Sequence, residues 1–363
     1  STGLYINGTL MSGGGGGGAT DIDGLSDGHY NSTSLSVGLG TGALAAEDVT
    51  AVRYNVAVGY QALFFNTTGY LNTASGSQAL FKNTTGDNNT ATGFKALHNN
   101  TTGTSNVATG HNALWINSTG HYNTATGYQA LFFNTVNSNS AYGYRALRSN
   151  STGYYNTASG YESLYSNTTG SNNVATGHYA LWSNTTGTKN SAFGNEALRY
   201  NTTGIYNTSL GSNALSSSTT GSNNTATGYN ALRNNITGSD NVASGYRTLY
   251  FNGAGYENTA SGYYALYYNT TGYYNTATGR GALFNNTTGT TNIGIGYGAG
   301  DAITTGSNNT IIGDLPGTTT LADTILIGAG TTERLKVNST GLYINGTLMS
   351  GGGGGGATDI DGL

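Results

Sequence analysis

The residues of this chain that could carry chemistry are few, and one kind dominates. Asn66, Asn83, Asn100, Asn117, Asn150, Asn167, Asn184, Asn201, Asn235, Asn269 and Asn286 each open an Asn-x-Ser/Thr triplet. The amide nitrogen of such an asparagine is the acceptor for an N-linked glycan. Asn, Thr and Gly are also what a tight turn favours, and bulky glycans on adjacent coils would stand only about 5 Å apart. The triplets are therefore expected at outer corners, as glycan acceptors or as plain turns. His29, His98, His111, His121 and His178 have no recurring carboxylate beside them, and Glu162, Glu196 and Glu257 stand isolated. Neither paired acid–base work nor a zinc site is expected from that pattern. No nucleophile elbow, zinc-binding helix or phosphate loop is written in the chain. Asp21, Asp23 and Asp27 could offer oxygens to calcium, but the other ligands of a calcium loop are missing. The expectation is a protein that is not an enzyme and needs no cofactor or metal.

What positions these residues is a short phrase, Asn-Thr-Thr-Gly-x-x-Asn-Thr-Ala-x-Gly-x-x-Ala-Leu-x-x, copied many times. Its marker glycines Gly69, Gly86, Gly103 and Gly120 fall 17 residues apart, and the spacing holds to Gly272 with a one-residue deletion near Asn137. A fixed short period is the signature of a solenoid, whose coils bury their apolar face only by stacking. The predicted fold is all-β, a parallel β-solenoid of about 17-residue coils with a small β cap or junction. Thr73-Ala74-Ser75 alternates, which points Ala inward and the hydroxyls outward. Ala74, Ala91 and their equivalents form one inner column, with neighbours about 4.8 Å apart. Leu80, Leu97 and Leu114 form the larger one. Asn72, Asn89 and Asn106 recur at the coil spacing and can bond one another up the stack as an asparagine ladder. Gly69 and Gly76 supply positive φ or close approach at corners.

Two aromatic series follow the same period. One contains Phe94, Tyr128, Tyr144, Tyr161, Tyr229, Tyr246 and Tyr263. The other contains Phe81, Trp115, Phe132, Tyr165, Trp182, Tyr250, Tyr267 and Phe284. With Ala and Leu inside, most of these rings belong outside. There they serve either as an interface for another chain or a sugar, or as a stack of rings with no partner.

Composition narrows the partners. Charged residues are 8% of the chain and the net charge is −4. That leaves no basic stripe to displace counterions from a phosphate backbone, so nucleic acid is not an expected partner. Cysteine is absent, which rules out disulfides and thiolate metal sites. No apolar run is long enough to span a bilayer.

Residues 1–25 recur identically at 339–363, around a glycine run at 13–18 that reads as a flexible joint. The duplication implies either a tandem array or two equivalent ends of a longer assembly, and Ser1 reads as the start of a processed or excerpted segment. Five segments follow: the joint at 1–25, worn entry coils at 26–65, the solenoid at 66–303, a cap or junction at 304–338, and the second copy of the joint. Glu47 and Asp48 are expected to loop out of the entry coils.

The Asn-Thr-Ala-x-Gly-x-x-Ala-Leu units resemble repeats of long fibre proteins of marine and cyanobacterial phages and related bacterial surface proteins. The stretch Gly330-Thr331-Thr332-Glu333-Arg334-Leu335-Lys336-Val337 resembles the segment that follows such repeats. More distantly, Thr-Ala-x-Gly is similar to a motif in the head domains of YadA-type trimeric autotransporter adhesins. The resemblance implies a structural subunit of an extracellular or virion fibre, with copies of itself as partners. A receptor- or carbohydrate-binding adhesin is the alternative it implies.

Overall fold

The computed structural model describes residues 28–349, together with a short antiparallel pair, Tyr5–Ile6 with Thr9–Leu10. The aspartates Asp21, Asp23 and Asp27 and the glycine runs lie outside the described residues, as does the side chain of His29. The chain divides into two compact units, Ser1–Thr208 and Ser209–Leu363. Among the described residues there is no α-helix, and the fold is a parallel β-solenoid.

In the first unit Gly28–Asn31 pairs antiparallel with Ser36–Leu39, which then takes Val56–Val58 as a parallel neighbour. Three-residue strands follow, one per coil, among them Thr73–Ser75, Thr90–Thr92 and Val107–Thr109. They stack parallel and in register, Ala74 against Ala91 and Ala91 against Ala108. In the second unit the same stack runs from Thr225–Thr227 to Thr310–Ile312 and on to Ile325–Ala329. The pairing then turns antiparallel through Thr332–Asn338, Gly341–Ile344 and Thr347–Met349. Parallel stacking thus includes the worn entry coils, from Ser36–Leu39, and continues past residue 303 to Ile325–Ala329.

Each coil is bonded to its neighbours around its circumference as well as at its strand. Leu80 N–H donates to Ala96 O at 3.0 Å, Lys82 N–H to His98 O at 3.0 Å and Gly93 N–H to Ser75 O at 2.7 Å. Backbone donors and acceptors therefore find partners in the coils above and below, which is how a fold without helices closes its hydrogen-bond account.

The inner columns are as expected for Ala74, Ala91, Leu80, Leu97 and Leu114, all with no exposed surface. Ala79 and Ala96 add a third. The leucines reach the interior in an unexpected way, in the left-handed region, with φ of 52° at Leu80 and 50° at Leu97. That conformation costs about 1–2 kcal/mol for a side chain bearing a Cβ. Full burial of a leucine returns about 1.5–3 kcal/mol, so the tight corner is sustained coil after coil.

The polar insertion at Glu47 does not loop out. Its carboxylate is buried and accepts from Ser36 Oγ at 2.8 Å and Asn55 Nδ2 at 2.6 Å. A carboxylate offers lone pairs to donors that the preceding coil would otherwise have to satisfy with an asparagine. Asp48 behaves as expected and stays outside, bridged to Arg53 at 2.8 Å.

Candidate functional site: a buried asparagine spine and an aromatic face

Two asparagine columns run inside each unit, where the sequence led us to expect one. The expected ladder is present. Asn89 takes up the Oδ1 of Asn72 twice, through its backbone N–H at 3.0 Å and its Nδ2 at 3.1 Å. Asn106 repeats both bonds on Asn89.

The second column consists of the triplet asparagines. Asn83 Nδ2 donates to Asn66 Oδ1 at 2.8 Å, and Asn100 Nδ2 donates to Asn83 Oδ1 at 2.7 Å. The two columns meet on the marker glycine, where Gly86 O accepts from Asn72 Nδ2 at 2.8 Å and from Asn83 Nδ2 at 2.9 Å. In the second unit Gly272 O collects Asn258 and Asn269 in the same way, each at 2.9 Å.

This arrangement corrects the expectation of glycan acceptors at an outer corner. Asn66, Asn83, Asn100, Asn117, Asn150, Asn167, Asn184, Asn201, Asn235, Asn269 and Asn286 are all fully buried. Their amide nitrogens, the atoms a glycan would occupy, donate to the adjoining glycine carbonyls. A sugar on Nδ2 would break those bonds and has no space in the folded coil. What the corner presents to solvent is the last threonine of the triplet, as at Thr68, Thr85 and Thr102. The first threonine is occupied: Thr84 Oγ1 and the N–H groups of Thr84 and Thr85 all converge on Thr101 O, at 3.0, 2.9 and 3.1 Å. Where the one-residue deletion falls, Val136 O replaces the glycine carbonyl and accepts from Asn123 and Asn134 at 2.7 and 2.8 Å.

The aromatic series stand on the outside of the corner after the strand, and their rings stack along the coil direction. In the first unit Phe94, His111, Tyr128, Tyr144, Tyr161 and His178 follow one another with centroids 5.0–5.2 Å apart. Phe64, Phe81, His98, Trp115 and Phe132 form a second column, at 4.9–6.3 Å. At one step where a ring is lacking, a guanidinium fills the place. Arg148 lies 5.2 Å from the Phe132 centroid and 5.8 Å from that of Tyr165, which in turn stacks on Trp182 at 6.0 Å. Cation–π contacts of this kind contribute about 0.5–1 kcal/mol at exposed sites. In the second unit Tyr246 stacks on Tyr229 and Tyr263 at 5.5 and 5.0 Å.

The consequence is chemical. Tyr128, Tyr161 and Tyr246 are exposed, yet each has a ring over both faces. A sugar docks on a ring face, so mid-column rings offer only edges and hydroxyls. Glu162 is not isolated either: it pairs with Arg145 at 3.5 Å and accepts from Trp182 Nε1 at 3.2 Å. Glu196 pairs with Arg199 at 3.0 Å. No group of three His, Cys, Asp or Glu able to hold a metal occurs among the described residues, and no helix there is long and apolar enough to cross a membrane.

His98, half-buried between Phe81 and Trp115, has a pH consequence. Burial is the main cause that holds its imidazole below the ordinary value of 6.5, with Lys95 and Lys82 acting in the same direction and the contact to Asn99 opposing. A depressed folded pKa means stability that is complete above the unfolded value and is lost as pH falls through the folded one. Lowering the pH from about 7.5 to 5 should therefore reduce the melting temperature of the wild type more than that of His98→Phe. Parallel profiles for the two proteins would show that His98 is not the group responsible.

The fold defines a parallel β-solenoid protein whose layers are joined by internal amide ladders and faced with stacked rings. No protein-family model matches this chain, and no curated protein or solved structure matches it significantly.

Proposed function

We propose that this chain is a structural subunit of an extracellular or virion fibre, a stiff rod that works by mechanical means rather than by catalysis. The observation that carries the reading is the in-register stacking of near-identical coils, each bonded to the next through backbone, asparagine and threonine. A stack of this kind resists axial bending because bending must stretch several bonded columns together. Its low charge leaves little repulsion between neighbours.

The proposed partners are copies of the same chain. The recurring segment pairs alike in both places, Tyr5 with Leu10 and Tyr343 with Leu348, as repeated units of one fibre would. Electron microscopy of the native material tests the reading, with filaments of regular axial repeat as the expected result. Dispersed particles with no filament at any concentration would overturn it.

The second reading, a carbohydrate-binding fibre, draws on the exposed rings. Trp115, Tyr128, Tyr161, Trp182, Tyr246 and Tyr263 all sit in columns with their faces against other rings or guanidinium groups. That reading is favoured only where a column ends.

A further inference from the structure

The aromatic columns of the second unit end in two aspartates. One series runs Tyr246, Tyr263, Arg280 and Tyr297, and its next position is Asp314. The other runs Tyr250, Tyr267 and Phe284, with centroids 5.3 Å apart at both steps, and its next position is Asp301. Phe284 therefore has a ring on one face and, one coil further on, a carboxylate in place of a ring.

Between the two columns lies a position that carries a side chain in the preceding coils: Asn213, Asn230, Arg247 and Tyr264 in this unit, Gln61, Gln78 and Gln129 in the other. All of these adopt left-handed φ, between 51° and 60°. In the coils of Arg280 and Tyr297 the position becomes Gly281 and Gly298, with φ of 67° and 62°. The backbone does not demand glycine, since these seven residues, of four types, accept the same conformation. Crowding does not demand it at Gly281 either, where an added Cβ would meet nothing within 4 Å. Both glycines line an open notch of about 200 Å³, together with Tyr264, Arg280, Phe284, Tyr297 and Asp301.

We propose that this notch binds a single pyranose ring, with the sugar's C–H face on Phe284 and its vicinal hydroxyls shared between the Asp301 carboxylate and the Arg280 guanidinium. An apolar ring face beside an acceptor and a donor that are not spent on each other is the chemistry that recognises such a sugar. Arg280 lies between the rings of Tyr263 and Tyr297, at 5.4 and 5.6 Å. None of the ion pairs among the described residues joins it to Asp301. Burial first, and then the Asp314 carboxylate, push the Asp301 carboxyl above its ordinary range, with only the Ala302 N–H opposing. A partly buried carboxylate of this kind gains from a ligand that brings hydroxyl donors.

The site does not rest on the fibre reading, and its test uses the full chain in solution, assembled or not. Saturation-transfer NMR titrations are run with the methyl glycosides of glucose, galactose and mannose. At least one of the three should bind saturably in the millimolar range. Asp301→Asn should weaken that binding by about tenfold, the loss of one charge-assisted hydrogen bond. Gly281→Gln should abolish it by filling the notch. That variant is expected to fold, because Gln61, Gln78 and Gln129 occupy the same position with φ of 53°, 58° and 53°. No saturable binding of any glycoside to the wild type, or unchanged binding to Gly281→Gln, would overturn the assignment.

Discussion

Asn106→Ala should lose about 3–4 kcal/mol of folding stability, a large effect for a polar side chain. Four hydrogen bonds disappear together. Asn106 Nδ2 no longer reaches Gly120 O at 2.8 Å or Asn89 Oδ1 at 3.1 Å. Its Oδ1 no longer accepts the backbone N–H and the Nδ2 of Asn123, at 3.0 and 3.1 Å. Most of these groups keep another partner: Gly120 O retains Asn117, and Asn123 Nδ2 retains Val136 O. The buried N–H of Asn123 does not, and an orphaned donor in a water-free interior accounts for about 1–3 kcal/mol. The space vacated by the amide adds the rest. Thr109→Ala, on the solvent face of the neighbouring strand, should change stability by no more than about 0.5 kcal/mol. Urea unfolding followed by circular dichroism gives both values. Equal losses for the two variants would mean that the spine does not hold the coils together.

The second large effect belongs to Gly69→Ala. Gly69 is not in the left-handed region, so backbone strain is not the reason for glycine there. The reason is proximity. An added Cβ would sit 2.5 Å from both Asn66 Oδ1 and Gly86 O, and 2.8 Å from Asn83 Nδ2. The methyl group would be driven into the point where the two asparagine columns join, and none of those atoms can retreat without breaking a ladder bond. A loss above about 4 kcal/mol is expected, seen either as early unfolding or as failure to recover folded protein. Gly281→Ala provides the contrast. Nothing surrounds its added Cβ, so the cost is confined to placing alanine in the left-handed region, about 1 kcal/mol. Comparable losses at the two glycines would show that the crowding at Gly69 is not real.

Much of this architecture was legible from the period alone. Ala74, Leu80 and Asn72 each recur at the coil spacing with a residue type that has an obvious place inside, and the stack follows from that repetition. The triplet asparagines were harder, because Asn-Thr-Thr-Gly suits a solvent-facing turn as well as it suits an internal ladder. A discriminating signal was nevertheless present. Asn134 and Asn252 keep their place although Thr135-Val136 and Gly253-Ala254 after them no longer complete a glycan acceptor. An asparagine that survives the loss of its triplet is needed for its own amide.

Other features had no sequence signal. Leucine is not a residue that turn chemistry would assign to positive φ, and its conformation at Leu80 follows only from the backbone bonds to the coils on either side. The place of arginine in the ring columns was similarly hidden. Arg148 and Arg280 share the period with the aromatics, but a guanidinium counts as an interruption until its stacking geometry is known. The notch was missed because it is defined by side chains that are lacking, at Gly281 and Gly298, in a chain already rich in glycine.

The central claim is that the coils are held together from within, by paired amide columns at Asn66 and Asn72 and their equivalents. A density map at side-chain resolution tests it most directly. The account predicts coils superposed about 4.8 Å apart, with the side chains of Asn66, Asn83 and Asn100 forming one unbroken internal column and ending in amide density alone. Density that continues from those nitrogens into solvent as a sugar chain, or successive copies of the repeat that do not lie one above another, would contradict it.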